Sequence, residues 1–93
     1  MELSDKFSPS KEVVARLVGG EMVLLDLASG LYFGLDEVGG RIWELLNERP
    51  RTLSELCDAI EAEFDAPRDR IEGDLLALAG QLSEQALIVS EAG

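Results

Sequence analysis

With histidine absent, the acids, bases and thiol that chemistry could draw on in this 93-residue chain are chiefly nineteen carboxylates, a single cysteine and the lysines Lys6 and Lys11. A serine, threonine or cysteine nucleophile needs a neighbouring base, and the usual imidazole is missing. A Ser-Lys pair would have to use lysines that both lie in or near the N-terminal segment. Cys57 has no partner for an internal disulfide, and its place inside an apolar helical pattern predicts half-buried packing. Zinc would need an all-carboxylate or single-thiolate shell, which it seldom accepts. Nineteen acids spread over the chain give many accidental pairs and no distinguishing spacing for acid–base work. Gly19-Gly20 and Gly39-Gly40 do not form a phosphate-cradling loop of the G-x-x-x-x-G-K type. The residue inventory therefore predicts no catalytic residue, no metal site and no cofactor, and leaves binding as the function. Two side chains stand out as ligand candidates. Trp43 follows the core position Ile42 and is expected at the core margin, and Asp74 flanks an apolar helical stripe, where a carboxylate can fix the polarity of a ligand in a groove.

Composition narrows the partner. The formal charge of −11 repels phosphate backbones, so nucleic acid is a poor ligand. No apolar run reaches the roughly 20 residues needed to span a bilayer, and Met1-Glu2-Leu3-Ser4-Asp5-Lys6 lacks the order of a signal peptide, so a cytoplasmic protein is expected. The length fits one domain with a modest core.

The elements that must position a binding site follow from periodicity. Residues 1–10 read as a flexible tail, with Ser8-Pro9-Ser10 marking a loop, and residues 11–93 as a single domain. Val13–Val18 and Glu21–Leu27 flank Gly19-Gly20, the pair that supplies the positive φ angles of a tight hairpin. Alternation along the second strand predicts Val23, Leu25 and Leu27 on the core face and Met22, Leu24 and Asp26 on the other. Ala28-Ser29-Gly30 makes the next turn, and Leu31–Leu35 returns as a third strand whose far edge has nothing downstream to pair with. From Asp36 the period becomes helical: Val38, Ile42, Leu45 and Leu46 form one stripe that Pro50 ends. Thr52-Leu53-Ser54-Glu55 is a capping box for a second helix, and Pro67 opens a third, striped by Ile71, Leu75, Leu78 and Leu82. The fold class is α+β, a three-stranded antiparallel meander followed by three helices.

The run Gly30-Leu31-Tyr32-Phe33-Gly34-Leu35-Asp36-Glu37-Val38-Gly39-Gly40-Arg41-Ile42-Trp43-Glu44-Leu45-Leu46 closely resembles the PqqD-like family, whose members typically read G-x-Y-F-x-L-N-x-x-G-x-x-I-W-x-L-L here. The resemblance extends through Thr52–Leu56, Glu63-Phe64-Asp65 and Asp74-Leu75. Asp36 stands where the family usually has asparagine, a replacement that still caps a helix. Gln85-Ala86-Leu87 replaces a common Gly-Leu step. The resemblance implies a winged-helix-like fold that recognises the leader of a ribosomally made precursor peptide and hands it to a separate maturation enzyme, such as a radical SAM enzyme, cyclase or protease. It also implies that the leader adds as a strand to the backbone of Leu31, Tyr32, Phe33 and Gly34. Asp74, Leu75, Leu76, Ala79 and Leu82 of the third helix would then complete the groove, with Leu76 and Ala79 on the flank of the core stripe as the groove face.

Two other functions use the same features. The second and third helices could form the helix-turn-helix of a transcription regulator, although Glu72 and Asp74 closely follow Arg68 and Arg70. A homodimer could instead form by pairing the open strand with its own copy.

Overall fold

The computed structural model describes residues 1–91; residues 92 and 93 of the expected domain lie outside the described residues. It contains strands β1 (Lys6–Pro9), β2 (Val13–Val18), β3 (Glu21–Asp26) and β4 (Tyr32–Leu35), helix α1 (Glu37–Glu48), and β5 (Arg51–Thr52). Helices α2 (Leu53–Glu63) and α3 (Arg68–Glu84) and strand β6 (Ile88–Ser90) complete it. The mixed α+β class and the β2–β3–β4 meander agree with the sequence pattern.

The meander is built by its turns. Val18 pairs with Glu21 across Gly19 and Gly20, whose φ angles of 59° and 89° are those of a type I′ hairpin. Asp26 organises the next turn, its carboxylate accepting from the Ala28 amide at 3.1 Å and the Ser29 hydroxyl at 2.8 Å. These bonds explain how a carboxylate sits on the buried face, and they reverse the expected orientation of β3. Met22, Leu24 and Asp26 face the core, while Val23, Leu25 and Leu27 face outward. Alternation alone cannot tell which face is covered when both are largely apolar; the packing of α1 against β3 decides it. Gly40 permits that packing, since a Cβ there would come within 3.3 Å of the Met22 Cβ.

The first two helices begin where the sequence indicates. The Asp36 carboxylate accepts the Gly39 amide at 2.8 Å, and Thr52 and Glu55 exchange the reciprocal bonds of a capping box. Pro67 is the residue that precedes α3, not its first helical residue. Trp43, expected at the core margin, is only 2% exposed and is among the largest fully buried side chains. Cys57 is also fully buried, and that burial pushes its thiol pKa up.

Within the expected flexible tail over residues 1–10, Lys6–Pro9 is instead the central strand of a second sheet, of strand order β5–β1–β6. Phe7 is 4% exposed and belongs to the core. The segment is held from both sides: the carbonyls of Asp5 and Lys6 accept the amides of Leu53 and Glu91. Burying Phe7 and satisfying these backbone groups together order a stretch whose proline and serines suggest a loop.

A cleft beside an open strand edge

β4 pairs with β3 alone among the described residues, so its far edge is open. Register identifies the groups that point out of it. Leu31 lies opposite Asp26 and accepts its amide at 3.0 Å, and Phe33 lies opposite Leu24. In an antiparallel ladder, alternate residues bond to the same neighbour. Leu31 and Phe33 therefore direct their backbone groups toward β3, whereas Tyr32 and Gly34 direct theirs toward the open edge. Four consecutive residues were expected to pair outward; the geometry offers two, which is what any added strand can use on a stretch this short.

Next to this edge lies a cleft of about 830 Å³ between β4 and α3, closed at one end by the start of α1 and the end of α2. Its apolar lining includes Phe33, Val38, Ile42, Phe64, Ile71 and Leu78, and its polar lining Asp36, Asp65, Arg70, Asp74 and Gln81. A smaller hollow of about 220 Å³ continues past Phe33 along β4, between Leu31 and the Gln85–Leu87 segment beyond α3. The Arg70 guanidinium stands 3.8 Å from the Asp74 carboxylate, both largely exposed, so this pair marks the rim without contributing much stability.

The expected site residues divide. Phe33, Gly34, Asp74 and Leu75 line the cleft together, and Leu31 and Tyr32 line the smaller hollow. Tyr32 is 73% exposed, its side chain on the opposite face of the sheet from Phe33. Leu76 lies outside the cleft, half-buried and packed on the core from elsewhere. Ala79 and Leu82 are core residues beneath the cleft and do not form its wall. The face of α3 that meets the cleft is Arg70, Ile71, Asp74, Leu75, Leu78 and Gln81. The core stripe of the helix thus continues directly into the cleft floor, with Leu78 packed against the core on one side and lining the cleft on the other. Val38 and Phe64, also partly buried, are cleft residues that helical periodicity reads as core.

No group of three His, Cys, Asp or Glu among the described residues could hold a metal ion. No described helix is long and apolar enough to cross a membrane.

No sequence among curated proteins matches the chain. Two solved structures are similar. One is described as TbiB1 in complex with the TbiA(beta) leader peptide, 41% identical, with a TM-score of 0.81, covering 92% of this chain and 99% of that one. The other is described as lasso peptide synthetase B1 complexed with the leader peptide, 25% identical, with a TM-score of 0.77, covering 89% and 96%. The family model for coenzyme PQQ synthesis protein D matches residues 21–88, from β3 through the first residue of β6 and including the open edge and the cleft, and the chain belongs to the PqqD family.

Proposed function

We propose that this protein is a non-catalytic adaptor that captures the leader of a ribosomally synthesised precursor peptide by strand addition to β4 and presents it to a separate maturation enzyme of a lasso-peptide type pathway. The observation that carries this reading is the conjunction of an unpaired strand edge with an apolar cleft at its side. Both similar structures are complexes with a leader peptide, which supports the same assignment.

Division of labour follows from magnitudes. Backbone bonds from Tyr32 and Gly34 fix register and contribute about 0.5–1.5 kcal/mol each. Burial of leader side chains in the cleft contributes about 25 cal/mol per Å² and supplies most of the affinity. In this reading the bond-making and bond-breaking steps belong to the enzyme that receives the peptide, such as a radical SAM enzyme, cyclase or protease.

The test is fluorescence anisotropy of a labelled leader from the precursor encoded beside this protein, with the TbiA(beta) leader as a second probe. Saturable binding with Kd between about 1 nM and 1 μM is expected. Failure of the cognate leader to bind folded protein would overturn the assignment.

A further inference from the structure

The outer face of the β2–β3–β4 sheet, opposite the core, carries a row of apolar side chains that is open to solvent at both ends. Register places Val14, Leu25 and Tyr32 in one row across the three strands, and Arg16, Val23 and Gly34 in the next. Val14 is 40% exposed and Tyr32 73%. The first row therefore runs from one edge of the sheet to the other as a ladder of apolar side chains that stops at the open side of β4.

Tyr32 and Gly34 are also the residues whose backbone groups point out of that edge. A strand added there sets one residue beside Tyr32 and another beside Gly34, both with side chains on the outer face, while its intervening residues turn toward the cleft. Side chains paired across neighbouring strands on one face are what stabilises a sheet. Gly34 leaves a gap in the second row, since a Cβ there would meet nothing within 4 Å. An aromatic ring on an adjacent strand is suited to cover such a bare glycine.

We propose that this outer face is a second side-chain subsite for the leader, with Tyr32 as its specificity-determining residue. It takes apolar or aromatic leader residues of the parity opposite to those that enter the cleft. The inference rests on strand addition to β4. It has a consequence for the peptide: a strand gripped on one face needs apolar residues only at alternate positions, whereas one gripped on both reads as a short continuous apolar run.

The experiment uses a labelled leader titrated against the wild-type protein, Tyr32→Ser and Tyr32→Phe, with circular dichroism to verify that each variant folds. Tyr32→Ser is expected to raise Kd about fivefold and Tyr32→Phe to stay within about twofold, because the ring's apolar area is what the subsite supplies. Single aspartate substitutions through the bound leader segment should weaken binding at both parities. In Tyr32→Ser, the outer-face positions alone should lose that sensitivity. Unchanged binding by folded Tyr32→Ser, or tolerance of aspartate at every outer-face position, overturns the subsite and leaves strand addition standing. A leader that fails to bind the wild-type protein removes strand addition itself, and the subsite with it.

Discussion

At the scale of single residues, Leu76 and Leu78 of α3 separate what a helical pattern reveals from what it hides. The stripe Ile71-Leu75-Leu78-Leu82 predicts a buried face, and Ile71, Leu75 and Leu82 are buried. Leu78 belongs to the same stripe yet borders the cleft, and Leu76, off the stripe, lies outside it. Periodicity reports the direction in which a side chain points around its own helix. It says nothing about where the neighbouring strand ends, and the end of β4 is what turns part of a core face into a cleft wall. On this geometry Leu78→Asp should weaken leader binding more than about tenfold, by placing a charge against buried apolar leader atoms. Leu76→Ser should cost stability through lost packing while leaving affinity within about twofold of wild type. Anisotropy titrations of both variants, with thermal melts alongside, check the pair; equal loss of affinity in Leu76→Ser would move the binding surface to the other side of α3.

At the scale of elements, strong local signals were readable and long-range ones were not. The Gly19-Gly20 hairpin, the Asp36 cap and the Thr52–Glu55 capping box are each written within four residues, and each forms as expected. The β5–β1–β6 sheet is assembled from three strands of two to four residues, far apart in sequence, none long enough to alternate. Its only clue was Phe7, an aromatic residue in a polar stretch. Because Phe7 is a core residue on the central strand, Phe7→Ala should destabilise the protein by about 3 kcal/mol, measured by urea denaturation. A mobile tail would show almost no change. The capping box makes a separate prediction. Accepting the Thr52 amide, and then pairing with Arg49, holds the Glu55 carboxyl below its ordinary pKa. The folded state thus favours the ionised form. Its contribution is fully present above the unfolded value of about 4.3, and is lost as pH falls from there through the lower folded value. Glu55→Gln should therefore narrow the difference in melting temperature from wild type as pH drops through that window; a difference independent of pH would remove the charge from the account.

At the scale of the whole molecule, the distribution of charge decides between the protein's alternative uses. Most of the nineteen acids lie from Asp36 onward, on the helical half, while the meander carries few charges and most of the large exposed apolar side chains. This division opposes the transcription-regulator reading. The helix that would enter a groove of DNA, α3, carries Asp69, Glu72 and Asp74 near its start and buries Ile71, Leu75, Ala79 and Leu82 against the rest of the fold. The same acids limit stability. Arginines of the helical half are engaged in surface ion pairs, Arg68 with Asp58 and Glu72, Arg41 with Glu63, Arg51 with Glu48, but such pairs contribute at most about 1 kcal/mol each and the net charge of −11 remains. Two effects of salt then compete: screening the pairs destabilises the fold, and screening repulsion among the excess acids stabilises it. The excess is larger than the paired charge can offset, and it is concentrated on one half of a small molecule, within a few Debye lengths of itself. Raising sodium chloride from about 0.05 to 0.5 M shortens the screening length from roughly 14 Å to 4 Å and should raise the melting temperature. A fall would mean that the Arg68 and Arg41 networks, not the unpaired acids, govern the electrostatics of the fold.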